Sequence, residues 1–564
     1  MTEQANTEAA VLVVGGGPTG LAMASELARH GVACRVVDKA PARSEHSKAL
    51  AVHARTLEIF EKIGIVDRFL SAGWKVHAIN LYSGCNRLVR LTLDELDSPY
   101  PFALILPQSE TERLLDEHLQ TLGIQVERQV ELTGFTQDSN AVTATLRRAD
   151  GQEEACRTAF LVGCDGAHSI VRHSLGLPFE GTQYAEMFLL ADLGMSLFEE
   201  SDALHIFTSE KGLLAFFPIK ADCWRVVANV EGAGDGGQRG EPTLEEIQQL
   251  VDERGPGGLS LQNPQWLAAF RIHRRGVKNH RDGRVFLAGD SAHIHSPAGG
   301  QGMNTGIQDA LNLAWKLALV LKGVGQPLLL DSYQAERHAV AQAVLRGTDF
   351  LTRVNLSRNP ITQALRTHLA PVLVAQEVVQ QRLKRGVAEL SINYRKSPVV
   401  SEHRGAVHPF PAPESEEPGI GDWFEFGNGP AAGDRGPDAT LVEARGRAGK
   451  RLFEILRGTE HHLLLLGGVR ATTPGYLALE EIGNMVLDKY GALIACHLII
   501  AADSPPEDLN WSGSLLLDPD LTLHHHYGAG SECLYLIRPD GYIGFRSQPA
   551  SWENLHDYLL KVFV

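Results

Sequence analysis

The stretch VLVVGGGPTGLAMASELARHGVACRVVDK, Val11 to Lys39, decides the fold of the N-terminal part of the chain. Four apolar residues run into a glycine-rich turn, a helical pattern follows, and a second apolar run ends in Asp38. This order predicts a strand–helix–strand unit whose glycines allow a tight turn, the approach of a pyrophosphate and close packing of helix on strand. It therefore predicts a Rossmann-like dinucleotide site at the helix N-terminus. The predicted nucleotide contacts in the turn are Gly15, Gly17, Pro18, Thr19 and Gly20.

Asp38 indicates which nucleotide is bound tightly. A carboxylate about 20 residues after the glycine turn accepts hydrogen bonds from an adenosine ribose and repels a 2′-phosphate. The pattern therefore favours FAD or NAD over NADP, although the neighbouring Lys39 weakens this exclusion. A second match to the glycine pattern, between Gly232 and Gly237, does not open a helix, because the helix starts later at the Thr243 capping box; we interpret it as a loop.

Composition limits the classes of protein to which the chain belongs. A length of 564 residues predicts about three or four domains. The net charge of −16 disfavours binding to nucleic acid. The N-terminus does not resemble a secretory signal, and no apolar run approaches the ~20 residues of a membrane span. Seven scattered cysteines without a CxxC pair predict a reduced, cytoplasmic protein without a disulfide framework or a structural zinc site.

Two further segments choose between NAD and FAD. FLVGCDGAHSIVR spans Phe160–Arg172, and RVFLAGDSAHIHSPAGGQGMNTGIQDA spans Arg284–Ala310. Together with the N-terminal turn, they resemble the three FAD fingerprints of the class A FAD-dependent aromatic hydroxylases, which have the p-hydroxybenzoate hydroxylase fold. The resemblance covers essentially the whole chain and is greatest for the phenol hydroxylase and pentachlorophenol monooxygenase-like branch.

The resemblance implies a role for several residues of these segments. Asp290 would bind a ribityl hydroxyl of FAD, and a charged acceptor suits that role because a charge-assisted hydrogen bond is strong. Glycines beside the flavin ring would let the backbone pass close to it. The helix that begins after them would direct its N–H groups at the pyrimidine edge of the flavin. The predicted cofactor contacts outside the N-terminal unit are Gln108, Asp165, Asp290, Pro297, Gly300, Gly302, Met303 and Asn304.

Three other features have more than one interpretation. His293 and His295 have no Cys, Asp or Glu set beside them, so we interpret them as structural and expect no metal. The run HHH at 524–526 is interpreted as a surface loop. Arg172 either packs the strand–turn–helix segment or contacts nicotinamide.

The chain order predicts how the domains are arranged. The expected fold is α/β, α+β overall: a Rossmann-like FAD-binding domain with an inserted antiparallel-sheet substrate domain, followed by a thioredoxin-like domain. The alternating runs LLAFFPI and CWRVVANV predict the inserted sheet. Its residues Phe207, Phe216, Phe217 and Trp224 line an aromatic pocket or belong to the core. The predicted parts are 1–174 and 279–407 for FAD, 175–278 for substrate, a 408–419 linker and 420–564 for the thioredoxin-like domain.

The C-terminal domain resembles that of the phenol hydroxylase branch. Thioredoxin chemistry requires a CxxC pair, which this segment lacks, so a structural role is expected and a homodimer is left open.

The resemblance also implies a reaction. FAD would be reduced by NADPH or NADH as a transient co-substrate, and the enzyme would use O₂ to hydroxylate a phenolic or polycyclic aromatic molecule through a C4a-hydroperoxyflavin. Lys48 and His53 are the only ionisable residues of the segment SKALAVHA, so they are candidates for activating the phenol or for a structural role beside the flavin. Two other functions stay open: oxygenation of a non-aromatic substrate, as in Baeyer–Villiger chemistry or antibiotic inactivation, and a flavin-binding protein without turnover.

Overall fold

The computed structural model describes residues 9–45, 49–195, 200–230, 240–296, 299–356, 376–405, 420–444, 449–507 and 509–564. The fold is a mixture of α-helices and β-sheets, as expected. Among the helices of these residues, none combines the length and the apolar character needed to cross a membrane.

The part of the chain up to residue 174 alternates strands and helices. Its strands are β1 Val11–Val14, β2 Cys34–Asp38, β3 Ala51–Val52, β4 Trp74–Val76, β5 Ala78–Ser83, β6 Asn86–Thr92, β7 Ala103–Ile105, β8 Val126–Arg128, β9 Val130–Gln137, β10 Val142–Arg148, β11 Glu153–Thr158 and β12 Phe160–Gly163. Its helices are α1 Pro18–Arg29, α2 Ala54–Lys62, α3 Val66–Ala72, α4 Gln108–Thr121 and α5 Ile170–Ser174.

Long strands come next, followed by long helices. The strands are β13 Glu180–Met195, β14 Ala203–Ser209, β15 Gly212–Lys220, β16 Cys223–Val230, β17 Leu261–Gly276, β18 Arg281–Asp282, β19 Val285–Leu287, β20 His293–Ile294 and β21 Ser401–Arg404. The helices are α6 Leu244–Arg254, α7 Gly302–Leu321, α8 Leu328–Leu356 and α9 Glu377–Val387.

The C-terminal part again alternates helices and strands. Its strands are β22 Thr440–Glu443, β23 Gly449–Arg451, β24 His461–Leu466, β25 Ile494–Ile500, β26 Ser514–Leu517, β27 Cys533–Ile537 and β28 Ile543–Gln548. Its helices are α10 Ile420–Asn428, α11 Leu452–Ile455, α12 Thr473–Tyr490, α13 Thr522–Tyr527 and α14 Trp552–Val562.

The predicted strand–helix–strand unit is confirmed as β1–α1–β2. It lies in a six-stranded sheet of order β18-β19-β12-β1-β2-β8, in which β1 pairs in parallel with both β2 and β12. Helices α1 and α7 bury their apolar sides in the same core. All three predicted FAD segments therefore contribute a strand to one sheet.

The predicted inserted sheet has eight strands in the order β20-β17-β13-β16-β15-β14-β5-β6. The sheet includes strands from outside the predicted segment 175–278, because β5 and β6 precede that segment and β20 follows it. Helix α6 covers one face through Ile247, Leu250 and Val251, and Thr243 caps this helix as predicted. The second glycine pattern, 232–237, lies outside the described residues.

The C-terminal sheet has the strand order β21-β28-β27-β24-β25-β26-β22-β23. Its centre, with β24 and β25 parallel, β27 and β28 antiparallel, and α12 and α14 as connecting and final helices, has the thioredoxin order. Strand β21 joins this sheet although it precedes the predicted linker at 408–419, which lies outside the described residues.

The two cysteines of the C-terminal sheet do not form the redox-active pair of a thioredoxin. Cys496 and Cys533 are buried in β25 and β27, and all seven cysteines of the chain are unpaired thiols. Burial raises the pKa of Cys496 to about 12, so this thiol does not ionise near neutral pH.

The interpretation of 524–526 as a surface loop is wrong in part, because the three histidines lie in the short helix α13 and only His525 and His526 are exposed. His524 is fully buried, and its Nδ1 donates to Asp518 Oδ2 at 2.7 Å. A histidine that pairs with a nearby carboxylate can pack in the core, which a run of polar letters does not reveal.

Candidate flavin site

The glycine turn after β1 has the shape that a bound pyrophosphate requires. A side chain at Gly15, where φ is +110°, would overlap the carbonyl of Cys164, and one at Gly20 would overlap the carbonyl of Gly15. In contrast, a methyl group at Gly17 would meet no atom of the described residues within 4 Å. Two of the glycines are therefore required by packing, whereas the third leaves open space at the start of α1.

The start of α1 is also suited to anion binding. Gly17 is the N-cap residue and no side chain in the described part of the chain caps it, while Pro18 occupies the first turn. Thr19 lies against Gly289 and Gly306, so it joins the turn to the third predicted segment. The N-terminal end of the helix dipole thus faces the space above Gly17.

Asp38 is fixed at the end of β2. Its Oδ2 accepts from Gly16 N at 2.6 Å, and its Oδ1 accepts from Ala40 N at 2.7 Å. Arg128 lies 3.4 Å from the same carboxylate, and its buried Nη2 has no hydrogen-bond partner among the described residues. Lys39 is exposed. An oriented acceptor and an orphaned donor side by side fit the two hydroxyls of an adenosine ribose.

Asp290 lies in the 3-10 turn Gly289–Ser291, where the sequence predicts the ribityl contact. The turn is held by a second carboxylate, Asp309 of α7, whose Oδ2 accepts from Gly289 N at 2.9 Å and from His293 Nε2 at 2.7 Å. Arg337 pairs with the other oxygen of Asp309, and both side chains are fully buried. This cation holds the pKa of Asp309 well below its usual range in spite of burial.

Asp309 and Arg337 were not recognised from the sequence. The signal present was an acidic residue inside a helix rich in apolar residues, since a carboxylate buried by such a helix requires a cation as its partner.

The glycine loop and the segment before α2 form one hydrogen-bonded unit. Asn304 donates from Nδ2 to the carbonyls of Ala51 at 2.8 Å and Gly300 at 3.0 Å, and its Oδ1 accepts from His53 N at 3.0 Å. The His53 ring donates from Nε2 to the carbonyl of Gly299 at 2.8 Å. The predicted residues Asn304, Gly300 and His53 are thereby brought together.

The protonation of His53 bears on its predicted role. The side chain is almost fully buried, and burial lowers the pKa of its ring to about 4. A neutral imidazole that already donates to a loop carbonyl fits a positioning role better than that of a base.

The catalytic candidate Lys48 and the predicted flavin contact Pro297 lie outside the described residues. Gly302 and Met303 form the first turn of α7, whose N-cap Gln301 offers no capping side chain.

Gln108 is the first residue of α4, and Asp165 lies in the turn between β12 and α5. Gln108 donates from its backbone N to Ala49 at 3.2 Å and from Nε2 to Glu112 at 2.8 Å. Asp165 accepts from Ser169 Oγ at 2.6 Å, and burial raises the pKa of its carboxyl.

Arg172 has the contacts of a packing residue. Its guanidinium donates to the carbonyls of Ser291 at 3.0 Å and Ala167 at 2.7 Å, and lies 3.9 Å from the ring centre of Phe179. These contacts favour the packing interpretation, because they join the second FAD segment to the turn that carries Asp290.

The four aromatic residues of the inserted sheet divide between its faces. Phe207, Phe216 and Trp224 are buried in the cluster under α6, so they belong to the core. Phe217 is half-buried on the opposite face, in a cluster with Leu50. Only Phe217 of the four therefore lies on the side of the sheet that faces the flavin segments.

Comparison with known proteins agrees with this geometry. The family model described as "FAD binding domain" matches residues 8–348. The chain belongs to this family. It is 32% identical over 556 residues to pentachlorophenol 4-monooxygenase of Sphingobium chlorophenolicum, covering 96% of this chain and 94% of that protein. It is 34% identical over 566 residues to 6-methylpretetramide 4-monooxygenase of Streptomyces rimosus, covering 97% and 92%.

A solved structure gives the same result. OxyS anhydrotetracycline hydroxylase from Streptomyces rimosus matches with a TM-score of 0.72 and 28% identity over 98% of both chains. The protein is thus a flavin-dependent monooxygenase with FAD as its cofactor, and its fold is that of the FAD-dependent aromatic hydroxylases.

Proposed function

We propose that this monooxygenase hydroxylates a phenolic or polycyclic aromatic substrate and consumes O₂ and NADPH or NADH. The observation that carries the proposal is the hydrogen-bonded unit of Asn304, His53 and the glycine loop, which is linked to the sheet because Ala51, an acceptor for Asn304, packs in the same cluster as the half-buried Phe217. Support also comes from relatives that are named for pentachlorophenol and for 6-methylpretetramide.

The chain's own residues have distinct roles in this proposal. FAD, when bound, supplies the redox chemistry and the activation of O₂. Asp38 accepts from the adenosine ribose, Asp290 accepts from the ribityl chain, and the first turn of α7 faces the pyrimidine edge. Cover by the eight-stranded sheet would exclude water from the flavin site and so limit unproductive loss of the activated oxygen. The other proposed cofactor contacts are Gly15, Gly17, Pro18, Thr19, Gly20, Lys39, Gln108, Asp165, Pro297, Gly300, Gly302, Met303 and Asn304.

His53 has a positioning role in this proposal. Its contact with the carbonyl of Gly299 joins α2 to the glycine loop, so the ring sets the shape of the flavin site. Lys48 is the remaining candidate for stabilising the phenolate form of a substrate.

A second function is favoured by a different relative. The chain is 38% identical over 387 residues to rifampicin monooxygenase of Streptomyces venezuelae, covering 68% of this chain and 79% of that protein. Inactivation of an antibiotic by oxygenation is therefore the competing proposal. The mass of the product and the integrity of its rings separate ring hydroxylation from oxygen insertion.

The test is a screen of aromatic compounds against the FAD-loaded protein. NADPH and NADH oxidation, H₂O₂ release and product mass are measured together. We expect at least one phenolic or polycyclic compound to accelerate NADPH or NADH oxidation and to gain one oxygen atom. If every compound leaves the oxidation rate unchanged, or only H₂O₂ accumulates, the proposed function is wrong.

We also propose a cytoplasmic location and a homodimer. Seven unpaired thiols support a reducing compartment. Leu477 of α12 and Leu560 of α14 expose apolar side chains, which a second copy of the chain would cover in such a dimer. Sedimentation of the purified protein tests the dimer.

A further inference from the structure

The eight-stranded sheet carries a buried ion pair on the face opposite α6. Arg225 of β16 donates from Nε and Nη2 to the two carboxylate oxygens of Asp192 of β13, at 2.7 and 2.8 Å. The Arg225 side chain is 3% exposed and that of Asp192 is 14% exposed. The pair is bidentate, which fixes the orientation of both groups.

The pairing of the strands places this ion pair in a row across four strands. Phe217 is opposite Arg225, Arg225 is opposite Asp192, and Asp192 is opposite Trp266. The Arg225 guanidinium lies 5.4 Å from the ring centre of Trp266. The row is thus polar at its centre and aromatic at both ends.

The adjacent row on the same face consists of small or aliphatic side chains. Residues two apart along a strand lie on one face, so Ala215, Val227, Leu190 and Ala268 form the next row. Val227 and Ala268 are half-buried, whereas Leu190 and Ala215 are buried. Four strands spaced about 4.8 Å apart make this surface about 14 Å wide, so a single phenol ring would cover only part of it.

This face lies beside the flavin segments. Phe217 packs in a cluster with Leu50 and Ala51. The carbonyl of Ala51 accepts from Asn304, and the methyl group of Ala51 lies against Gly300. The row of the ion pair therefore begins at the glycine loop and leads away from it across the sheet.

A buried ion pair on a mostly apolar face adds little to the stability of the fold, because the cost of desolvating both charges offsets much of their attraction. Its chemistry points to recognition. A carboxylate accepts from a hydroxyl group, and the adjacent guanidinium donates to a carbonyl oxygen. A hydroxyl beside a carbonyl on the edge of a flat ring system offers the complementary pair.

We propose that Asp192 and Arg225 read the oxygenated edge of a polycyclic hydroxyketone, while the row of small side chains holds the ring system. This inference rests on the proposed function and narrows its substrate class from aromatic molecules in general to fused rings with a hydroxyl beside a carbonyl. A carboxylate has more acceptor sites than the two that Arg225 occupies, so an analogue without the hydroxyl would bury the remaining sites of Asp192 without a donor and bind more weakly.

The test measures binding to the FAD-loaded protein through the change in the flavin absorbance spectrum. The probes are 1,8-dihydroxyanthraquinone, unsubstituted anthraquinone and phenol. We expect the unaltered protein to bind the dihydroxy probe at least about tenfold more tightly than anthraquinone. In Asp192→Asn the ratio of the two dissociation constants should fall to about two, because the amide no longer offers a charged acceptor.

Two further variants check the two halves of the inference. Arg225→Lys keeps the charge but loses the bidentate geometry, so it should lower the same ratio. Ala268→Phe should weaken the dihydroxy probe at least about tenfold while phenol binding changes little, since it fills the row of small side chains. The matched control is Glu131→Gln in β9. It removes a carboxylate from an exposed ion pair with Arg147 of the neighbouring strand β10, so it should leave the ratio unchanged.

The outcomes separate this inference from the proposed function. If the unaltered protein binds both anthraquinones equally, or if the ratio persists in both Asp192→Asn and Arg225→Lys, the inference is overturned although phenol may still be hydroxylated and the proposed function stands. If no aromatic compound perturbs the flavin or accelerates NADPH or NADH oxidation, the proposed function and the inference both fall. Flavin content of each variant shows whether it has folded.

Discussion

Glu389 gives a quantitative prediction about the helix that begins at the flavin loop. This residue follows α9 in a left-handed conformation, with φ at 60°, and its side chain is 2% exposed. Its carboxyl contacts Gln308 and Thr305 in the first two turns of α7. Burial raises the pKa of Glu389 from its ordinary 4.5 to about 8, so the buried side chain is a neutral acid at pH 7.

The raised pKa fixes the sign of the pH dependence. The folded protein holds this proton more tightly than the unfolded chain, so the stability that Glu389 contributes is fully present below pH 4.5 and is lost as the pH rises through about 8. Each unit of pKa shift corresponds to about 1.4 kcal/mol, so the free energy of unfolding should fall by about 2 kcal/mol between pH 6 and pH 7.5 from this residue alone. Glu389→Gln removes the titrating carboxyl, and with it this pH-dependent contribution to stability, while the side chain keeps nearly the same size and shape.

The assay compares melting temperatures of the unaltered protein and Glu389→Gln at pH 6 and pH 7.5. At about 2.1 cal/mol/K per residue for the entropy of unfolding, 2 kcal/mol corresponds to roughly 2 °C for a chain of this length. All other titrating groups are shared, so they cancel in the comparison. Glu377→Gln, an exposed position in α9, is the matched control and should follow the unaltered protein. Identical pH dependence in Glu389→Gln and the unaltered protein would refute the reasoning.

Four other changes test the flavin site and its support. Gly20→Ala places a methyl group on a backbone carbonyl, so the purified protein should lack FAD; a normal ratio of flavin to protein absorbance would contradict this. Asp290→Ala removes a charged acceptor and should raise the FAD dissociation constant about 10-fold to 100-fold in a fluorescence titration, and an unchanged constant would count against the ribityl contact. His53→Gln keeps a donor for the loop carbonyl, so turnover and its pH profile should largely persist while His53→Ala loses FAD affinity; loss of turnover in both with FAD bound normally would instead indicate a base. Arg538→Met leaves Glu336 buried without its bidentate partner and should cost about 3–5 kcal/mol of stability, which an unchanged melting temperature would disprove.

Local patterns predicted the parts of the site that depend on neighbours in sequence. The turn between β1 and α1 is defined by glycines a few residues apart, and Asp38 follows from the length of one strand–helix–strand unit. The position of Asp290 in a turn just after β19 also follows from a short apolar segment, whereas its role toward FAD is a prediction from the family resemblance. In each case the sequence pattern that carries the prediction lies within one short segment.

The contacts that were missed connect residues far apart in sequence. Asn304 bonds to a segment around Ala51, and Asp309 pairs with Arg337 of the next helix. The sequence pattern of either segment does not indicate which distant residue it contacts, because that residue is determined by how the sheets and helices pack. The width of the inserted sheet was underestimated for the same reason, since β5 joins it by pairing with β14.

The C-terminal part of the chain contacts helix α2, which follows His53, although it contributes no predicted cofactor contact. Helix α2 begins directly after His53, and Arg55 in its first turn donates to the carbonyl of Asp540 at 2.6 Å. Glu58 of the same helix is buried and pairs with Arg435 at 3.1 Å.

Removing the C-terminal part would therefore uncover this helix and leave its acidic and basic groups without their partners. Breaking buried pairs in this way costs far more than the pairs contribute when intact. A shortened chain that ends before α10 should consequently lose FAD rather than behave as an independent oxygenase. The C-terminal part thus supports the helix that follows His53, a structural role that requires no cysteine pair.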